Sequence, residues 1–229
     1  QQDEAALRRT LHEQLLGLSK EILVETLEDQ DWSNTWRDTF SAMCFGERLW
    51  VCPLGEMPPQ ADAIVVHLDP GMAFGTGTHA TTAMCLRWLD VHPPANRRVL
   101  DYGCGSGILA IAAHKLAAAQ VTAVDIDPQA ILATQENARR NGCANAITVL
   151  HPDELGAGAV DLLIANILAN PLIELAEDLS RRVRPGGRVV LTGILSEQAG
   201  DVQAAYQPAF AFAPAVRDAE WVLLAGTRR

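Results

Sequence analysis

Apolar positions recur along this chain with two alternating periods. Over residues 5–18, Leu7, Leu11, Leu15 and Leu18 stand at helical spacing among charged residues, which predicts an amphipathic helix, and 22–27 reads as a strand. Residues 28–60 differ in kind: they are polar, carry Trp32, Trp36 and Trp50, and close on Pro53, Pro58 and Pro59. They read as a connecting segment with a short helix over 31–40. A strand at 64–68 follows, then the glycine-rich run 69–78. From there helices at 79–91, 107–117, 128–141, 170–183 and 196–206 interleave with strands at 97–101, 120–125, 146–150, 160–165 and 187–194. This alternation predicts an α/β fold with a doubly wound, mostly parallel sheet covered on both faces by helices. Two last strands, 209–216 and 219–227, follow each other so closely that they predict an antiparallel hairpin on that sheet. Open sheets of this kind bind ligands outside the carboxyl ends of their strands, so the candidate chemistry is sought there.

Composition adjusts this picture only a little. A chain of 229 residues, 48% of them hydrophobic, has room for one large α/β domain and a small appendage. We read 1–28 as part of an N-terminal unit, 29–60 as a linker and 61–229 as the main domain. The first residue, Gln1, stands in helical sequence without a methionine, so the chain reads as part of a longer polypeptide. The net charge of −10 argues against a dedicated nucleic-acid binder, which needs clustered Lys and Arg. No apolar run has the length of a membrane span. Cys44, Cys52, Cys85, Cys104 and Cys143 are odd in number and contain no C-x-x-C pair. They predict reduced, buried thiols in the cytoplasm rather than disulfides or a zinc site, so no metal is expected.

The carboxyl end of strand 97–101 carries the clearest signal. Asp101-Tyr102-Gly103-Cys104-Gly105-Ser106-Gly107 is a glycine turn between a strand and a helix, and the next strand ends in Asp125. Glycines let backbone pass close to a ligand, and an acid at that place accepts hydrogen bonds from both ribose hydroxyls of an adenosine-type ligand. Two cofactors compete. A dinucleotide fingerprint needs Gly-x-Gly-x-x-Gly, and its last glycine would fall where this chain has Ile108. The spacing here is Gly-x-Gly-x-Gly, which favours S-adenosylmethionine; that cofactor carries no phosphate but has an ammonium group for Asp101 to attract.

Two further stretches frame that turn. In 69–82, glycines and threonines precede an apolar helix, an arrangement suited to anionic or polar ligand groups such as a cofactor carboxylate. A helix cap at Thr78 would account for one threonine but not for Phe74 and three glycines, so ligand contact is the favoured reading, with Thr82 in the first turn. His79 stands there as a general base or, more often for a lone histidine, as a hydrogen-bonded scaffold residue. The strand at 160–165 runs into Asn166, whose carbonyl oxygen can accept from a substrate amine and aim its lone pair at a methyl group.

Four stretches together, 69–79, 101–113, 125–130 and 165–169, resemble the ribosomal protein L11 methyltransferases, a bacterial class I family. Asp31-Trp32, Trp36, Phe40 and 45–49 resemble that family's linker. The resemblance implies a class I methyltransferase (Rossmann-like) domain behind part of a ferredoxin-like recognition domain. It implies that Thr82, Gly103, Asp125 and Asn166 contact cofactor or reacting centre, with Asn166 the catalytic residue. Phe74, Thr78, Asp101 and Gly105 complete the expected cofactor site. The implied reaction is methylation of lysine ε-amines and the N-terminal α-amine of the ribosomal protein, by a monomer, with neither nucleic acid nor membrane taking part. Alternatives of other classes are a methyltransferase for another substrate, a nicotinamide-dependent oxidoreductase, and a non-catalytic domain that senses the cofactor.

Overall fold

The computed structural model describes residues 41–68 and 79–229. The helices expected at 5–18 and 31–40, the strand at 22–27, Phe74 and Thr78 lie outside the described residues.

Within 41–60, read from the sequence as connecting chain, two strands form. Strands β1 (Met43–Phe45) and β2 (Leu49–Pro53) pair antiparallel, and β2 pairs in parallel with β3 (Ile64–Leu68). Leu49, Val51, Val66 and Leu68 from this small sheet are buried in the main core. Helix α1 (Ala80–Val91) holds the hairpin by one side chain: Asp90 accepts from the backbone N–H groups of Glu47 (2.6 Å) and Leu49 (3.0 Å). Gly46, with φ of 98°, turns the chain where any Cβ would strike the Asp90 carboxylate.

The main sheet then winds as predicted. Its strands are β4 (Arg98–Tyr102), β5 (Gln120–Val124), β6 (Ile147–Leu150), β7 (Val160–Asn166), β8 (Val183–Leu195), β9 (Phe210–Phe212), β10 (Val216–Asp218) and β11 (Trp221–Arg228). The order is β10-β11-β8-β7-β4-β5-β6, with β9 also paired to β11. Pairs among β4 to β8 are parallel, and β11 runs antiparallel to β8, β9 and β10. The C-terminal hairpin is therefore present, with the first of its two expected strands broken into β9 and β10. Because the chain leaves β4 first for β5 and later for β7, the switch point lies between β4 and β7.

Neighbouring residues on these strands point to opposite cores. On one face, Val99, Leu162, Ile164 and Val190 pack with α1 and α2 (Ile108–Lys115). On the other, Leu100, Leu163, Val189 and Leu191 pack with α4 (Ala169–Glu174), α5 (Ala176–Arg181) and α6 (Ala199–Tyr206). A parallel sheet buried on both faces needs such apolar strands, and each fully buried Leu or Val contributes about 1.5–3 kcal/mol. The single helix expected over 170–183 is split at Leu175, where the backbone (φ −89°, ψ 1°) departs from helix. Helix α3 (Pro128–Arg140) starts on an Asp127 side-chain cap with Pro128 in its first turn.

All five cysteines are free of disulfides; Cys52, Cys85, Cys104 and Cys143 are buried, whereas Cys44 is exposed on β1, against the expectation for it. Among the described residues no helix is long and apolar enough to cross a membrane, and no group of His, Cys, Asp or Glu is arranged to hold a metal.

Candidate active site

The turn after β4 is built from three left-handed glycines, Gly103 (φ 79°), Gly105 (φ 55°) and Gly107 (φ 77°). Side chains with a Cβ disfavour this conformation, which bends the strand end into the start of α2 within a few residues. Neighbouring elements fix the turn. The N–H groups of Gly103 and Cys104 both donate to the Val124 carbonyl, at 2.7 and 3.0 Å. From buried positions on α3, Thr134 Oγ1 donates to the Gly105 carbonyl (3.0 Å) and Asn137 Nδ2 to that of Ser106 (2.9 Å).

Asp125 closes the far side. Its Oδ2 accepts from Gly105 N–H (2.9 Å) and its Oδ1 from Asp127 N–H (3.0 Å), so each oxygen keeps a lone pair for a hydroxyl donor. Asp101 behaves differently from the ammonium partner expected of it. It is 0% exposed and does not border the cleft; its Oδ2 accepts from Ala110 N–H in the first turn of α2 (3.0 Å). Its Oδ1 is buried without a partner among the described residues. Burial, with a smaller push from the Asp125 charge, raises its pKa to about 7 against the pull of the Ala110 bond.

A cleft of about 350 Å³ opens over the turn and brings Thr82, Gly103, Gly105 and Asn166 together. Asn166 ends β7, and its Nδ2 donates to Thr82 Oγ1 on α1 at 3.2 Å. That bond fixes the amide's orientation and leaves Oδ1 with no partner among the described residues. Ile167 follows, wedged between two glycines: a Cβ on Gly103 would lie 2.2 Å from its side chain, and one on Gly193 (φ 84°) 2.3 Å from its carbonyl oxygen.

His79, not Thr78, is the N-cap of α1. Its Nδ1 accepts from Thr81 N–H (3.4 Å) and lies 2.7 Å from Thr81 Oγ1, while its ring meets the edge of Trp221 (centroids 4.9 Å, planes at 67°). Cap and packing engage Nδ1 and the ring face, and His79 also lines the cleft. Trp221, Gly193 and Leu168 also line the cleft, and sequence reasoning missed all three. Trp221 and Gly193 come from β11 and β8, distant in sequence. Leu168 offered a local clue in following Asn166 directly, and it is 70% exposed.

The lining contains no Lys or Arg among the described residues. A pyrophosphate would find no cationic partner there, whereas a ligand with an adenosine, a sulfonium and a short aliphatic arm fits a mostly apolar cleft; Asp125 is not in its lining but is bonded to Gly105, which is. The residues present therefore fit S-adenosylmethionine better than a dinucleotide.

Comparison with known proteins agrees with this geometry. The model of the family described as "Ribosomal protein L11 methyltransferase (PrmA)" matches residues 1–229. A "Ribosomal protein L11 methyltransferase" of Methylococcus capsulatus is 57% identical over 206 residues, covering 90% of this chain and 70% of that protein. Among solved structures, a ribosomal protein L11 methylase from Lactobacillus delbrueckii subsp. bulgaricus has a TM-score of 0.75 at 32% identity, covering 83% of this chain and 100% of that one. A T. thermophilus 16S rRNA methyltransferase, solved with AdoMet and guanosine, has a TM-score of 0.58 at 22% identity, covering 71% of this chain and 46% of that one, a likeness of fold alone. The architecture is the class I methyltransferase fold.

Proposed function

The chain belongs to the ribosomal protein L11 methyltransferase family, and from that membership we propose that it transfers methyl groups from S-adenosylmethionine to lysine ε-amines and the N-terminal α-amine of L11. Bound in the cleft, that cofactor supplies a methyl group on an already activated sulfonium, so the protein's share is binding and alignment, worth ~7–11 kcal/mol of barrier. Gly103 and Gly105 border the cofactor with bare backbone, Asp125 accepts from its ribose, and Thr82 contacts it from α1; Phe74 and Thr78 are assigned to the same site. Asp101 acts through the helix start it holds.

The observation that carries this reading is the Asn166–Thr82 hydrogen bond. With Nδ2 held at Thr82, Oδ1 is the amide's free acceptor, and Oδ1 accepts from an amine N–H and directs the nitrogen lone pair. The amine must arrive neutral; a free lysine titrates near ~10.4 and an α-amine near ~7.7–8.0. Ile167, Leu168 and Trp221 disfavour the charged ammonium by desolvation, which lowers that value. We further place the enzyme in the cytoplasm as a monomer, with neither nucleic acid nor membrane in the methyl-transfer step; the disulfide-free cysteines support that compartment.

The test mixes the chain with methyl-labelled S-adenosylmethionine and purified large-subunit ribosomal proteins. One labelled band at L11 is expected, and label elsewhere but not on L11 would sink the substrate assignment. Asn166→Ala is expected to lower turnover about 100-fold with little change in cofactor affinity. Collapse of cofactor binding with turnover of the bound fraction intact would overturn the amine-orienting role.

A further inference from the structure

At the other end of the sheet, around the amino-terminal ends of β4, β7 and β8, lies a second cavity of about 400 Å³. Strand register sets its floor: Val99 pairs with Leu162, and Leu162 with Arg188. Between Val160 and Leu162 the register with β8 jumps from Val183 to Arg188, so Arg184-Pro185-Gly186-Gly187 bulges outward as one wall. Gly186 takes φ of 73° in that bulge, and a Cβ on Gly187 would lie 3.0 Å from the Asp161 carbonyl. The far wall is the end of α1, with Trp88 and His92.

Charge in this cavity is unbalanced. Asp161 is its one carboxylate, against three arginines in the lining, Arg97, Arg184 and Arg188; Arg98 pairs with Asp161 from outside the lining. Asp161 Oδ2 accepts from Arg98 N–H at 2.7 Å and Oδ1 from Arg184 Nε, so both carboxylate oxygens are engaged and the pKa is lowered despite burial. The Arg97 guanidinium reaches it only at 4.0 Å. Arg188 has no carboxylate within ion-pair distance among the described residues. It lies over the Trp88 ring at 5.9 Å, and that ring stacks on His92 (4.5 Å, 19°), whose Nδ1–H donates to the Trp88 carbonyl. The aromatic stack holds Arg188 in place without neutralising it. Two positive charges are thus left over in the lining, in a chain of net charge −10.

We propose that this cavity binds a phosphate group, held chiefly by Arg97 and Arg188. A doubly charged tetrahedral oxyanion matches the excess charge, and guanidinium forks suit its oxygens; a single carboxylate would leave half of it uncompensated. The arginine side chains are about half exposed (56% for Arg97, 51% for Arg98), so the two charges can come from one free phosphate compound or from two successive phosphodiesters of a nucleic-acid backbone. The site is separate from the reaction cleft and does not depend on the methyl-transfer assignment.

The test is calorimetry at low salt on the full chain, with pyrophosphate in one arm and a short single-stranded RNA in the other. The wild type is compared with the double variant Arg97→Ala/Arg188→Ala, which leaves Arg98, Asp161 and Arg184 in place. At least tenfold weaker binding by the variant is expected for whichever probe binds, with unchanged affinity for S-adenosylmethionine. Tighter binding of pyrophosphate assigns the site to a free phosphate compound, and tighter binding of RNA to a phosphodiester backbone. The double lysine variant, Arg97→Lys/Arg188→Lys, keeps the charge without the forks and is expected to fall between. No binding of either probe by the wild type, or equal binding by wild type and alanine variant, overturns the proposal.

Discussion

Asp101 uses one carboxylate oxygen and leaves the other buried and unpaired. Its folded-state pKa, about 7, stands above the ordinary carboxyl value. A group with a raised folded pKa contributes stability that is fully present below its unfolded pKa and is lost as pH rises through the folded value. Between about pH 4 and pH 7 this residue therefore makes the fold progressively less stable, by an amount on the order of a few kcal/mol. Asp101→Asn, which mimics the protonated acid, is expected to flatten that part of the curve; urea denaturation at several pH values checks it, and an unchanged slope would refute it. Asp125 is the contrasting acid, half-buried and bonded through both oxygens. Asp125→Ala is expected to weaken cofactor binding at least tenfold by calorimetry, since it removes both the ribose acceptor and the hold on Gly105; a charge-assisted hydrogen bond contributes about 1.5–3 kcal/mol. Unchanged affinity would rule out the ribose assignment.

Among the elements, the β1–β2 hairpin depends on one helix side chain. Asp90→Ala leaves the Glu47 and Leu49 N–H groups without their partner and is expected to cost about 2–4 kcal/mol. The midpoint of chemical denaturation measures it, and a loss below 0.5 kcal/mol would show that water replaces the carboxylate. This hairpin also shows where reading the sequence stopped short. The glycine turn, Asp125 and Asn166 were legible because each is a local pattern: a strand's apolar run followed within a few residues by the chemistry at its end. The two short strands of 41–60 were not, since Cys44 and Trp50 pair across a turn whose anchor, Asp90, lies far along the chain. Pro185-Gly186-Gly187 misled in the opposite direction: it has turn composition, yet it is a bulge inside β8, which begins at Val183 and not near 187. Trp221 and Gly193 reach the cleft only through the pairing of β11 with β8, a contact that no local periodicity encodes.

For the molecule as a whole, the sheet order puts the switch point, and with it Gly103 and Asn166, at one end of a core buried on both faces. A ligand seated there is linked to the stability of the whole domain. S-adenosylmethionine at 100 times its dissociation constant is expected to stabilise the fold by ~2.7 kcal/mol. For a domain of this size that is a rise in melting temperature of about 5–10 °C. A nicotinamide dinucleotide at the same concentration is expected to give none. Differential scanning fluorimetry distinguishes the two, and a shift with the dinucleotide alone would return the oxidoreductase reading.

The distribution of the thiols has a practical side. Burial pushes the Cys85 and Cys104 thiols far above their ordinary range, and Cys52 and Cys143 upward as well. The Cys44 thiol is also raised, by partial burial and the Asp90 charge, so it is the burial of the other four that shields them from a modifying reagent. Cys44 alone is exposed, on the hairpin that Asp90 latches and at some distance in sequence from every residue of the cleft. A maleimide dye added to the folded wild type should therefore attach at one position, giving a fluorescent reporter on the chain's approach to the catalytic sheet without the removal of a single native cysteine.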